Sequence, residues 1–404
     1  MTSTQETIAT QQAEIVAKHT EELWRVNQEI HSHPELAFKE THAHDTVCGL
    51  LESLGYSVTR HAHGLKTWTA FEVEAGSDGG VVVYNAEYDA LPGIGRACGH
   101  NLIATSSIAA FLATADALKA NNISGRVRLL GTPGEEEGGG KVALLSAGAY
   151  RGVDACLMGH PGPLLAPVDG VVHVPFMAVV GVTVTFNGVN AHAGNAPWLG
   201  KNALDAAVGA YNNISMLRQQ MSPEQRVHAV ITHGGDRANV IPHRTEMRIL
   251  IRASTNADLE ATRPRIASCS QGAADATGCT VDLRWDHHYK DLQCSGLIES
   301  AFAKNAAMQG RTYMAKAPTG SGASTDQGNY EIPSIHPIFL LDVEDPSIGP
   351  HHRKFAATAG TRASFAIALE FAKVMAATGL DILQSGALRE ELTSELAAAR
   401  NGRT

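Results

Sequence analysis

Three short apolar runs, each closing on a polar, glycine-marked loop, constrain this chain more than any other feature. They are GGVVVYNAEYDALPGIGRACGHN (79–101), RVRLLGTPGEEEGGG (126–140) and DACLMGHPGP (154–163). A continuous run such as VVVY (81–84) is too short for a helix, and its β-branched side chains suit a strand buried on both faces of a parallel sheet. Helix-compatible segments fill the intervals, at 102–120 and in KVALLSAGAY (141–150). Strand, loop, helix, repeated, predicts an α/β domain with a mainly parallel sheet. Ligands of such sheets gather outside the carboxyl ends of the strands. The three polar loops therefore fall where an active site is expected.

The pattern changes after about residue 174. AVVGVTVTFNGV (178–189), QRVHAVITHGG (225–235), TEMRILIRAST (245–255) and CTVDLRWDHHY (279–289) alternate like half-exposed strands. Helical patterns occupy 202–221 and, despite Pro264, 257–278. The order βαββαβ is ferredoxin-like. Residues 290–404 return to α/β character, with IHPIFLLD (335–342) as a strand and a long alanine-rich helix at the end. The expected organisation is one domain, 1–174 with 290–404, interrupted by a second at 175–289.

Composition narrows the function. A net charge of −9 carries no basic footprint, which excludes nucleic acid as an expected partner. Six cysteines without a CxxC pair fit a reducing compartment. The N-terminal segment has no apolar core of a signal peptide, and no run of 18 apolar residues occurs, so the expectation is a cytosolic protein without a membrane span.

The loops carry metal-competent side chains. Cys98 and His100, one residue apart in ACGH, can both reach one divalent ion, although a buried cysteine beside a solvated histidine is the commoner meaning of CxH. Glu135, Glu136 and Glu137 follow Pro133. An acidic run is usually the solvated start of a helix, but metal-assisted hydrolysis needs one carboxylate to hold an ion and another to take a proton from water. His160 closes the third apolar run, and His351 or His352 in PHHRKF offers a final ligand near the C-terminus. Glu87 and Asp89 precede the CGH loop. Outside this set, His192 in NAHAGNAP could donate to a developing oxyanion. Asn239 and Asp326 sit in loops marked by proline or glycine.

In this order, HSHPELAFKE, EYDALPGIGRACGHN, GTPGEEEGGG, MGHPGP, FNGVNAHAGNAP, ANVIPHRTEMRILIRA, STDQGN and PHHRKF resemble the aminoacylase and glutamate-carboxypeptidase type of metallopeptidase family. The likeness is strongest to its amidohydrolase branch, which includes indole-acetyl-amino-acid hydrolases, aminobenzoyl-glutamate hydrolases and β-alanyl-lysine dipeptidases. The resemblance implies a catalytic domain interrupted by a ferredoxin-like lid that also dimerises, and two divalent ions, zinc or manganese. It makes Cys98, His100, Glu136 and His160 metal ligands and Glu135 the general base. It also makes His351, four residues before Phe355, the last ligand in preference to His352. His192 becomes a lid residue reaching the partner subunit's active site, and Asn239 a substrate contact. Two departures stand out: Glu87 adds a carboxylate before Asp89, which is the expected supporting residue, and Glu137 has no counterpart role.

The expected reaction is hydrolysis of the amide bond of a small N-acyl amino acid or dipeptide, with Glu135 activating a metal-bound water. Alternatives are a biosynthetic amidohydrolase for one specialised intermediate, or an inactive scaffold that kept the fold. A cysteine hydrolase built on Cys98 and His100 is a poorer fit, because residues that close in a turn are more natural as co-ligands.

Overall fold

The structure, a computed structural model, describes residues 3–64, 69–164, 167–318, 322–345 and 347–401. The chain divides into two compact units. One comprises the described parts of Met1–Val174, Gln293–Gly320 and Tyr330–Thr404; the other comprises Pro175–Leu292 and the described part of Ser321–Asn329. The STDQGN segment thus packs with the inserted unit.

The first unit opens with two helices, α1 (Ser3–Lys18) and α2 (Thr20–Ser32), followed by α3 (Thr41–Ser53). Strands β1 (Val58–Arg60), β2 (Phe71–Gly76) and β3 (Val81–Glu87) lead to the long helix α4 (His100–Ala120). Then come β4 (Arg126–Thr132), the short helix α5 (Gly140–Ser146), β5 (Ala155–Leu157), β6 (His160–Pro163) and β7 (Gly170–His173). Every residue of β3 is buried. Its valines each contribute roughly 1.5–3 kcal/mol by leaving water. Helix α4 is long and apolar enough to cross a membrane by composition, but 94% of its most apolar stretch is buried inside the protein. Two of its buried polar side chains are satisfied internally: Ser107 Oγ donates to Asn85 O (2.5 Å), and Thr114 Oγ1 lies 3.0 Å from Tyr84 Oη.

The inserted unit runs β8 (Ala178–Asn187), α6 (Ala203–Leu217), β9 (Arg226–His233), β10 (Arg244–Ala253), α7 (Asn256–Thr277) and β11 (Thr280–Trp285). Its four strands are ordered β11-β8-β10-β9, all antiparallel, with both helices on one face. This is the ferredoxin-like arrangement that the βαββαβ order predicts.

The first unit resumes with α8 (Gly296–Met308), β12 (Tyr313–Lys316), β13 (Ser334–Ile335), β14 (Ile338–Leu341), α9 (Arg353–Ala359), α10 (Arg362–Gln384) and α11 (Gly386–Asn401). Its main sheet has the order β1-β2-β4-β3-β5-β13, parallel from β4 to β13 and antiparallel at the β1-β2 edge. A second sheet, β12-β7-β14-β6, shares the unit.

One sequence expectation changes here. His160 does not end the third apolar run; that strand, β5, stops at Leu157, and His160 opens β6 in the second sheet. Gly159 makes the crossing feasible, because a Cβ there would lie 2.0 Å from the Phe371 ring. The ring packs where any larger residue would stand, and the chain passes from one sheet to the other at that point.

Candidate metal centre and active site

Each loop is shaped by a specific close approach. Gly99 adopts a left-handed conformation (φ +80°) immediately before α4, so His100 becomes the first residue of that helix. A Cβ on Gly99 would stand 2.6 Å from Pro161 Cγ. The CGH turn therefore lies directly on the HP step, and Cys98 Sγ comes 3.2 Å from His160 Nε2.

The GEEE run is not the start of a helix. Residues 135–138 form a turn, and α5 begins only at Gly140. Gly134 and Gly138 have φ of +68° and +106°, and a Cβ on either would press into the Phe38 ring at 2.7 and 2.2 Å. Phe38 comes from HSHPELAFKE, and so does Glu40, whose Oε1 accepts from Gly134 N–H (2.9 Å) while Oε2 accepts from Thr69 Oγ1 (2.7 Å). That N-terminal segment is the bed on which the glutamate turn lies.

Asp89 ties two loops together. Its Oδ1 meets His100 Nδ1 at 2.8 Å, and its Oδ2 accepts from Glu136 N–H at 2.9 Å. A carboxylate on one imidazole nitrogen fixes the tautomer and turns the other nitrogen toward a metal. From the C-terminal side, His351 N–H donates to Ala97 O (2.8 Å), and its ring Nε2 lies 3.4 Å from Glu136 Oε2. His351 holds φ +68°, a conformation rare for a residue with a side chain and concentrated at functional sites. His352 instead caps α9, with Nδ1 accepting from Lys354 N–H.

The structure thus brings together Asp89, Cys98, His100, Glu135, Glu136, His160 and His351. Two donor triads emerge, Cys98–His100–His160 and Cys98–Glu136–His351, with the donor atoms of each within 4.8 Å of one another. They share the Cys98 thiol. Glu135 is buried beside them and groups with Glu87 and His100 within the same limit. Glu137 is exposed. Buried polar atoms normally find partners, yet His100 Nε2 and Glu136 Oε1 are buried without a hydrogen bond. Converging sulfur, nitrogen and oxygen donors with orphaned lone pairs fit a pair of divalent ions.

Electrostatics sharpen this. Burial, then the charges of Glu136 and Glu135, push the Cys98 thiol well above its ordinary range. Burial would lower His100, but the neighbouring Asp89 and Glu87 outweigh it and raise it to about 10. Burial and the charge of His100 depress His160 to about 4. Burial pushes Glu136 up, but its contact with His351 and the charge of His100 hold it below the usual carboxylate range. At neutral pH the metal-free protein therefore carries protons on Cys98 and His100 that an ion must displace. Metal affinity is expected to weaken as pH falls and to tighten as pH rises toward 10. Calorimetry at pH 7 in buffers of different ionisation enthalpy should show proton release on loading; buffer-independent heats would contradict these ligands.

His192 and Asn239 belong to the inserted unit, both exposed. His192 Nδ1 accepts from Gly194 N–H and Asn195 N–H (3.2 and 3.1 Å), which leaves the neutral ring's proton on Nε2. The ring is a preset N–H donor. Asn239 O accepts from Ala193 N–H, one residue along. The sequence reading missed Glu40, Phe38 and the wholly buried Lys141, whose ammonium pairs with Glu87. A lysine directly after GGG was the available signal for the last.

Comparison with known proteins identifies the chain's relatives. Residues 178–276 match the model of a peptidase dimerisation domain. The Xaa-Arg dipeptidase of Mus musculus is 37% identical over 95% of this chain and 90% of its own length. A p-aminobenzoyl-glutamate hydrolase chain of Escherichia coli is 32% identical over 70% of this chain and 60% of its own. Among solved structures, a Bacillus subtilis dinuclear metal-binding peptidase of the M20 family superposes with a TM-score of 0.67 at 23% identity, covering 91% of this chain and 99% of that one. With a relative above one-third identity along nearly its full length, this chain belongs to the M20 family of peptidases.

Proposed function

We propose that the protein is a metal-dependent hydrolase of the amide bond in a dipeptide or small N-acyl amino acid. The observation that carries this reading is the sharing of Cys98 by two donor triads, with a buried carboxylate, Glu135, next to them and outside both. Cys98, His100, His160, Glu136 and His351 would hold two divalent ions, which would lower the pKa of a bound water and polarise the substrate carbonyl. Glu135 would take a proton from water and return it to the leaving amine. Asp89 orients His100 and fixes the backbone beside Glu135 through Glu136 N–H. His192, with Nε2–H outward, donates to the developing oxyanion, and Asn239 contacts substrate, both supplied by the inserted unit of a second copy.

A homodimer through that unit is supported by its apolar exposure. Val208, Tyr211 and Met216 on α6 and Val230 on the edge strand β9 are exposed. An uncovered edge strand is a ready pairing surface. The thiolate and imidazole donors favour zinc by softness, while the carboxylates accept manganese. Six unpaired cysteines accord with a cytosolic setting.

The mouse relative's name makes dipeptides ending in arginine the first substrates to assay. The panel should add lysine-ending dipeptides, aminobenzoyl-glutamate and N-acetyl amino acids, each with zinc or manganese. Chelation is expected to abolish turnover and metal to restore it. Full activity in the chelated protein would refute the metal mechanism.

A further inference from the structure

Glu135 stands in a turn, not on a helix or a strand. A side chain on a loop is held less precisely than one on a regular element unless neighbouring groups fix it. Two buried carboxylates grip this turn, one on each side of Glu135. Asp89, 1% exposed, accepts from Glu136 N–H at 2.9 Å, one residue after it. Glu40, 0% exposed, accepts from Gly134 N–H, also at 2.9 Å, one residue before it. Thr69 Oγ1 donates to the other oxygen of Glu40 at 2.7 Å, so both ends of that carboxylate are engaged.

The segment that delivers Glu40 is itself tightly held. Phe38 adopts φ +62°, a left-handed conformation that a bulky side chain rarely takes and that persists only where the surroundings impose it. Its ring fills the space against Gly134 and Gly138, on the same turn that Glu40 grips. Upstream, the buried Arg96 guanidinium donates to Ile30 O (2.9 Å), His33 O (3.0 Å) and Tyr88 O. Ala90 N–H donates to Glu35 O at 2.8 Å, and the Glu35 carboxylate accepts from His42 N–H and Ala43 N–H at the start of α3 (2.9 and 3.0 Å). Tyr88 and Ala90 flank Asp89 in the chain. The two carboxylates on either side of Glu135 therefore belong to one hydrogen-bonded framework.

We propose that Glu40 is a positioning residue for the general base: its hydrogen bond to Gly134 N–H, backed by the Phe38 ring, holds the glutamate turn where Glu135 can take a proton from water. The proposal rests on the reading of Glu135 as the base. Glu40 acts through the backbone, so its reach matters and its charge does not. A glutamine can make the same two contacts, its amide oxygen accepting from Gly134 N–H and its NH2 donating to Thr69 Oγ1. An aspartate keeps the charge but is one methylene short, and an alanine keeps neither.

The test uses the full-length, metal-loaded protein, with kcat, KM and metal content measured on the same samples against an arginine-ending dipeptide. Glu40→Ala is expected to lower kcat about 10–100-fold, the scale on which a misplacement of about 1 Å costs rate. KM should stay near wild type and both ions should be retained, the pattern of an interaction that serves only the chemical step. Glu40→Asp should lose kcat in the same way, and Glu40→Gln should restore it to near wild type. Because alanine strands a buried N–H and can fail to fold, the aspartate and glutamine variants carry the test by themselves, with folding checked by circular dichroism. Wild-type kcat in Glu40→Asp, or a loss in Glu40→Gln as deep as in Glu40→Asp, overturns the proposal. Glu135→Gln, run alongside, separates the two readings. Normal turnover in that variant overturns the base assignment, whereas loss there with full turnover in Glu40→Asp overturns the positioning role alone.

Discussion

Glu135→Gln is expected to lower turnover by about 10²–10⁴-fold, the usual contribution of a positioned general base, while the protein stays folded and keeps two ions. The choice of Glu135 over its neighbours follows from what each side chain touches. Glu136 belongs to the second triad: Oε2 lies 3.4 Å from His351 Nε2, the backbone N–H donates to Asp89, and Oε1, 3.8 Å from His100 Nε2, is buried without a hydrogen bond. Glu137 is exposed. Glu135 is buried, groups with His100 and Glu87, and lies outside both triads. Steady-state kinetics on an arginine-ending dipeptide, with metal content measured on the same sample, separate the roles. Glu135→Gln should lose turnover but keep metal, Glu136→Gln should lose metal, and Glu137→Gln should stay within about twofold of wild type, as a solvated surface change does. Near-normal turnover in Glu135→Gln would remove it as the base.

Much of this was legible in the chain because the relevant signals are local. A buried parallel strand announces itself as a short β-branched run, and the loops after β3 and β4 carry their chemistry in one stretch each. The ferredoxin-like unit is readable for the same reason, its period-2 strands and helices following one another in order. What the sequence could not reveal is contact between distant segments. Nothing local in HSHPELAFKE says that Phe38 and Glu40 support a glutamate turn nearly a hundred residues later. The acidic run illustrates the limit well. Its resemblance to a helix start fails because Gly138 and Gly139 take positive φ and delay the helix to Gly140. His160 was misplaced on the strand ladder for a similar reason. The jump between sheets at Gly159 is dictated by the Phe371 ring, far away in sequence. Glu87 was visible as an extra carboxylate and Lys141 as a lysine after three glycines, but their pairing was not, since a buried ion pair leaves no periodic trace.

Cys98→Ala is expected to remove both ions, where His160→Ala or His351→Ala removes one. The asymmetry follows from the shared thiol. Without it the triads fall to His100 with His160 and to Glu136 with His351, two donors each. Losing even an outer-shell partner of a ligand costs about 10–100-fold in affinity, so loss of a direct donor should exceed that at both positions together. The fold should tolerate the change, because Cys98 is a small residue at the end of a loop and its removal leaves no stranded charge. Its effect on stability should appear only when metal is present. An ion at 100 times its dissociation constant stabilises the folded state by about 2.7 kcal/mol, and two ions act together in the wild type. Thermal unfolding of the stripped and loaded forms provides the measurement. Wild-type protein should melt at a distinctly higher temperature with zinc or manganese than without, His351→Ala should keep part of that gain, and Cys98→Ala should keep none. A Cys98→Ala protein that metal stabilises as strongly as wild type would mean that the triads do not depend on a common sulfur. The two positions would then be independent sites, and the case for one shared centre beside Glu135 would lose its structural basis.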